Sequence, residues 1–438
     1  MSFIIDKQSL EDLNLTGKYK RNSIYSLFNQ VKTVGGERLL EQIFNHPLSD
    51  PDEINRRSAV FHYFQQQQLA FPFDKEKIEK AEKYLHEGND AGYIGSAIGL
   101  LKHKLSHAVF HSPEYEQLTD GLKATIDLLR KVSDYLKQFK DAENHPLMAD
   151  IGKLKQIFRD QRLTDLLKES AELSFFKLSR YHYLLSKTLK KELELVFKVL
   201  YELDVYIAVS DVARLKGMGY ARALPASVDC LKASGLSHPA LDKAIANSIS
   251  LNREQNMLFL TGANMAGKST WMKTIGLSMY LAHLGFPVAA KSLEFSVMEG
   301  IFSSINVPDN LNMGYSHFYA EVLRVKDVAQ QVSAGKNLLV LFDELFKGTN
   351  VKDAYDATLA VSQAFANYTN CLFVISTHII EVGEELRERC ANIQFRYLPT
   401  IMEGSVPKYT YLLKEGITSD RQGMMIIENE NILEIIGR

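Results

Sequence analysis

Lys268 and Ser269 close the run GANMAGKS at residues 262–269. Two glycines, a lysine and a hydroxyl at this spacing suit a phosphate-binding loop. Gly262 and Gly267 let the backbone turn tightly, so that its N–H groups face phosphate oxygens. Lys268 would neutralise the outer phosphates of ATP, and Ser269 would ligate Mg2+. Asn264 and Thr270 belong to the same nucleotide-binding stretch. A second group ends the apolar run LLVLFDE at residues 338–344. Asp343 suits the magnesium shell, and Glu344 is the better candidate to polarise an attacking water. Thr377 and His378 end a third run, CLFVISTH, at residues 371–378. From there His378 could reach a γ-phosphate or its water. A DE pair or a lone histidine is weak evidence by itself. The three groups together imply ATP hydrolysis to ADP and phosphate, catalysed mainly by electrostatic stabilisation.

These residues need elements to hold them. QNMLFLTG, KNLLVLFDE and NCLFVIST, starting at residues 255, 336 and 370, are short apolar runs separated by helical patterns. They predict an α/β unit with a largely parallel sheet buried on both faces. The loop run follows one such strand and precedes the helical pattern STWMKTIGLSMYLAHL, the strand–loop–helix order the chemistry requires. Upstream, residues 37–222 read as mostly helical. Residues 37–44 carry apolar side chains at helical spacing, Pro47 and Pro51 interrupt them, and Asp50 is placed to cap the next helix. Residues 114–139 predict one long amphipathic helix. Residues 172–217 predict more helix, bent or broken in places without a proline. The boundary between the two textures falls near residues 224–234.

The formal charge of -2 gives no global basic character, so DNA contact would need a local patch. Residues 152–162 and 187–192 are the clearest basic runs, though acidic residues are interspersed. The three cysteines lack zinc spacing and are too few for a secreted disulfide framework, which suggests a reducing, cytoplasmic setting. No targeting signal is visible. The apolar stretch at residues 93–101 is too short to span a membrane and is expected to pack internally.

TGANMAGKSTWMKTIG, LLVLFDELFKGTN and FVISTH together resemble the ATPase domain of the MutS family of DNA mismatch-repair proteins. DNLNMGYSHFYAEV at residues 309–322 is similar to that family's dimer-signature region, with Ser316, Phe318 and Glu321 on its pattern. SHPAL at residues 237–241 and Asn247 resemble the lead-in to the nucleotide site, and YTYLLKEGITSDRQGMMI resembles the closing segment through Gly416, Ser419 and Gly423. Gly36, Arg38, Leu39, Leu40, Pro47, Leu48, Ile54 and Arg57 fall on the pattern that opens the family's core, or lever, domain, and residues 201–214 resemble its returning long helix.

The resemblance implies a helical core/lever domain over residues 1–225. An α/β P-loop ATPase domain of the ABC type would follow over residues 226–438, with a C-terminal dimerisation segment. It also implies a homodimer with composite ATP sites, in which Ser316 approaches the partner's γ-phosphate from a helix N-terminus. Asn247 would help shape the nucleoside pocket. The family's mismatch-recognition and connector regions are expected to be missing, and its clamp missing or strongly reduced. Four positions depart from the family pattern: His317, Phe346, Lys347 and Asn350. His238 is expected in a turn or interface, and Trp271, Tyr280 and Phe286 are expected to pack. The sequence leaves three functions open. One is an ATP-switched dimer associated with duplex or branched DNA, like the mismatch-repair proteins. Another is an ATP-switched regulatory or assembly protein that binds a protein partner. The third is an inactive structural relative.

Overall fold

The computed structural model describes residues 3–15, 17, 23–86, 101–102, 104, 107, 113–139, 147–169, 174–305, 317–403, 406–418 and 431–437. The chain forms two compact units. One comprises Met1–Phe28, Phe44–Ser58 and Val212–Arg438, and the other Asn29–Ile43 and Ala59–Asp211.

The first unit contains the strands β1 (Ile4–Ile5), β2 (Gly219–Leu224), β3 (Cys230–Leu236), β4 (Asn247–Asn252), β5 (Met257–Gly262), β6 (Pro287–Val288), β7 (Ser292–Ser296), β8 (Gly300–Ser304), β9 (Leu338–Asp343), β10 (Leu372–Ser376), β11 (Ile393–Leu398), β12 (Thr400–Glu403), β13 (Val406–Tyr409) and β14 (Lys414–Glu415). The main sheet runs β1-β8-β9-β10-β5-β11-β14. Every pairing in it is parallel except β11 with β14. The apolar runs become its centre: β5 and β10 are buried at every position, as a sheet covered on both faces requires. A second sheet runs β4-β3-β7-β2-β6, and β12 pairs with β13. The helix Lys268–His283 contacts both larger sheets, which explains why it is buried nearly all round.

Sequence boundaries and packing boundaries differ. The division between residues 225 and 226 groups the N-terminal segments with the helices, yet residues 3–15 and 44–58 pack with the α/β unit. Hydrogen bonding supplies the reason. β1 adds to the sheet beside β8. Asp12 accepts from Ser303 Oγ at 2.8 Å and from the Ile305 N–H at 2.9 Å. Tyr280 donates to the Phe44 carbonyl, and Asn55 exchanges two hydrogen bonds with the backbone of Ala223.

The helical unit follows the sequence closely. Glu114–Leu136 is one continuous helix that buries Leu122, Ile126, Leu129 and Val132 along one stripe. The expected break downstream is a π turn at Leu184–Thr188, between the helices Phe175–Tyr183 and Lys190–Leu215. Asp204 is buried and accepts from the Lys32 and Thr33 N–H groups and from Thr33 Oγ1. These donors lie just before the helix Val34–Asn45. Thr33 is the local N-cap, its Oγ1 accepting from the Gly36 N–H at 2.9 Å, and the acidic side chain from a distant helix backs that cap and takes up the Lys32 and Thr33 N–H groups. In the α/β unit Asp50 caps the next helix as expected, accepting from the Glu53 N–H at 2.9 Å. Residues 93–101 lie outside the described residues except Leu101, which is exposed. No helix among the described residues is long and apolar enough to cross a membrane.

Candidate functional site

The loop after β5 has the shape its residues allow. Gly262 (φ 149°) and Gly267 (φ 101°) adopt backbone angles that favour glycine, and Met265 between them is also left-handed (φ 68°). A Cβ on Gly267 would stand 3.0 Å from the Tyr411 ring. The helix Lys268–His283 begins directly at the loop, so its first N–H groups and the positive end of its dipole face the site. Lys268 is 4% exposed, and its Nζ donates to the Gly262 and Ala263 carbonyls at 2.9 and 3.2 Å. Burial pushes its pKa down, while Glu344 and Asp343 favour the charged ammonium. Both carboxylates therefore stand within electrostatic reach of the lysine. Asn264 and Thr270 are exposed at the loop, and Ser269 is half-buried.

Asp343 ends β9, and its carboxylate accepts from Ser376 Oγ at the end of the neighbouring β10. Glu344 follows in the left-handed region at φ 54°, a conformation that non-glycine residues keep only when their surroundings hold them. Its N–H donates to the Ser376 carbonyl at 3.0 Å. On the side chain, His378 Nε2 makes a short hydrogen bond to Oε1, in which only the imidazole can donate, and Lys347 Nζ stands 4.0 Å from Oε2. The His378 hydrogen bond holds the Glu344 carboxyl below the usual glutamate range against the opposing effect of burial, and Lys268 and Lys347 add to it. Lys268, the adjacent Asp343 and Glu344, and His378, which come from three separate stretches of the sequence, therefore meet around one loop.

A cavity of about 560 Å³ opens beside them. The loop residues 263–270 and Glu344 line one part of it, and His238, residues 241–245, Trp271, Leu398 and Tyr411 line the rest. Asn247 also lines it, but both ends of its amide are used. Nδ2 donates to the Tyr411 carbonyl and Oδ1 accepts from the Leu413 N–H, each at 2.8 Å. It shapes the wall by fixing residues 411–413. His238 opens the turn that ends at Leu241 and Trp271 is buried, both as expected, and both also line this wall. Tyr280 and Phe286 pack internally, as expected. Tyr411 is the residue that sequence reasoning missed. It is left-handed (φ 57°), and its position over Gly267 depends on Asn247, 164 residues away.

The donor set fits a magnesium ion. Ser269 offers a hydroxyl and Asp343 a carboxylate, hard oxygens of the kind that ion takes in small number beside water and phosphate. No group of three or more His, Cys, Asp or Glu side chains stands ready for a metal among the described residues.

Ser316, Ser419 and Gly423 lie outside the described residues, as do residues 309–315 of the signature stretch. The rest of that stretch begins the helix His317–Ser333, with Phe318 half-buried and Glu321 buried. Asn350 caps the helix Val351–Ala366, its side chain accepting from the Asp353 N–H. In the basic run at residues 152–162, Lys153 pairs with Asp150, Lys155 donates to the Phe139 carbonyl, and Arg162 pairs with Asp160. Much of its positive charge is thereby engaged within the helical unit.

Comparison with known families agrees with this architecture. The family model described as MutS domain III matches residues 8–230, and the one described as MutS domain V matches residues 258–436. Domain V is the ATPase domain of its family. The two matches cover most of the chain, and the loop, both carboxylates and His378 all fall within the second. The chain belongs to the MutS family.

Proposed function

We propose that this protein binds ATP with Mg2+ in the cavity beside residues 262–270, hydrolyses it to ADP and phosphate, and uses the cycle as a dimeric switch associated with DNA. The observation that carries the reading is the meeting of Lys268, Asp343, Glu344 and His378 around one glycine-bearing loop at a helix N-terminus. Loop and helix N–H groups face the phosphates, and the Lys268 ammonium neutralises the outer ones. Glu344 accepts a hydrogen bond from the attacking water and orients it towards the γ-phosphorus. As the new P–O bond forms, the bond to the β–γ bridging oxygen breaks and ADP leaves. His378 keeps the Glu344 carboxylate aimed. Ser269 and Asp343 would hold Mg2+, which when bound supplies further neutralisation of phosphate charge.

The dimer and the DNA belong to this proposal through family membership, since MutS family members are dimeric and bind DNA. The partner's Ser316-bearing segment would complete each site, so that ATP ties two copies together. One observation favours a second reading. In one of the two basic runs Lys153 and Arg162 each pair with a neighbouring aspartate and Lys155 is bonded to the Phe139 carbonyl, so part of its charge is already partnered, which favours a protein partner. Steady-state hydrolysis measured with and without duplex, mismatched and branched DNA over a salt series separates the two. A DNA effect that fades as salt rises supports the first reading. Robust hydrolysis indifferent to every DNA supports the second, and absence of hydrolysis under all conditions overturns both.

A further inference from the structure

Phe346 stands where the sequence departs from its family, and the departure has a physical cost. Its backbone is left-handed at φ 61°, two residues after Glu344 at φ 54°. Glycine adopts that angle freely, whereas a phenylalanine keeps it only if its ring is held. The ring is held. Phe346 is 4% exposed within the apolar core of the sheet, and its ring meets Phe318 edge to face at a centroid distance of 6.2 Å. Phe318 lies in the first turn of the helix His317–Ser333. The next glycine seals the contact: a Cβ on Gly348 would lie 2.8 Å from the Phe318 nitrogen and 3.1 Å from its Cα.

That helix is itself anchored. Arg324 pairs with Asp6, and its Nη2 donates to the Ser303 carbonyl at 2.7 Å and to Ser9 Oγ at 3.2 Å. An unbroken series of contacts therefore runs from the N-terminal helix Lys7–Asp12, through Arg324 and Phe318, to the loop that presents Glu344.

We infer that Phe346 is a positioning residue for Glu344, bracing its carboxylate against the signature helix of the same subunit through Phe318. The inference rests on the hydrolytic reading above. The brace fixes the loop after β9, so the carboxylate keeps its direction towards the attacking water. Neither Phe346 nor Phe318 lines the cavity, so the brace acts on turnover rather than on ATP affinity.

The test uses the full chain and four variants: Phe346→Gly, Phe318→Leu, the double variant and Glu344→Gln. Glycine tolerates the backbone angle, and leucine keeps most of the buried volume, so thermal melting serves as the check that each variant folds. ATP affinity is measured by calorimetry and turnover at saturating ATP. Each single variant is expected to lower kcat by about tenfold while ATP affinity changes by less than about twofold, a split that general loosening of the fold does not give. The double variant is expected to lose no more than the worse single one, because both remove the same contact. If kcat stays near wild type in both single variants while Glu344→Gln stops turnover, the brace is wrong and the hydrolytic site stands. Losses that multiply in the double variant also overturn the brace. If Glu344→Gln hydrolyses ATP normally, the site reading itself fails and the brace falls with it.

Discussion

Glu344 and Lys268 carry separable duties, and substitution should separate them. Glu344→Gln keeps the shape of the side chain and removes its charge, so ATP binding should persist while turnover drops by about a hundredfold or more. Lys268→Ala removes the ammonium that joins the Gly262 and Ala263 carbonyls, and should weaken ATP binding itself by about tenfold or more. Calorimetric titration with ATP checks both, and unchanged affinity in Lys268→Ala would sink the phosphate-loop assignment. These residues are legible in the sequence because short-range spacing carries their signal. Tyr411 is not legible in the same way. Its place over the loop needs a positive φ and the amide of Asn247, and neither leaves a local pattern. Asn247 itself is legible, but its duty is to hold backbone rather than to meet a ligand directly.

Helices and strands are legible where the apolar period is clean, as in β5, β9, β10 and Glu114–Leu136. What the periods hide are the polar ties between elements, and two of these make predictions. His283 is fully buried at the end of the helix Lys268–His283, between the rings of Phe3 and Phe295. Its Nδ1 bonds the Leu48 carbonyl, so that nitrogen carries the proton, and its Nε2 accepts from the Met298 N–H. The imidazole is therefore neutral, and burial pushes its pKa down from 6.5 to about 4. A base whose pKa is lowered by folding stabilises the protein fully above the unfolded value. That stabilisation is lost progressively as pH falls from 6.5 to about 4. The full loss is on the order of 3 kcal/mol. Urea denaturation at pH 8 and pH 4.5 should show a smaller acid-induced loss in His283→Gln than in the wild type. Equal losses would show that His283 does not titrate on unfolding. In the helical unit, Asp204→Ala should destabilise by about 2–3 kcal/mol by orphaning the donors at Lys32 and Thr33. Asp204→Asn keeps an accepting oxygen and should cost less in the same denaturation experiment.

The division of the molecule is the least legible level, for a reason visible in the chain path. The two compact units exchange the chain near residues 28, 43, 58 and 211, so no single cut in the sequence reproduces them. A texture change at residues 224–234 marks where strands begin, not where packing changes. The segments that cross earlier are short, and their membership is decided by ties such as Asp12 to Ile305 and Asn55 to Ala223. The same logic bears on assembly. A site assembled from two copies of the chain should make ATP a cross-link whose lifetime depends on hydrolysis. Glu344→Gln, which binds ATP without turning it over, should then accumulate as a long-lived dimer in ATP and Mg2+ while the wild type cycles between states. Sedimentation velocity with ATP, with ADP and without nucleotide reads this directly. If dimer lifetime in ATP is the same for the variant and the wild type, hydrolysis does not gate association. The switch would then have to be sought within one subunit, where the contact between Phe318 and Phe346 already joins the signature helix to the loop of Glu344.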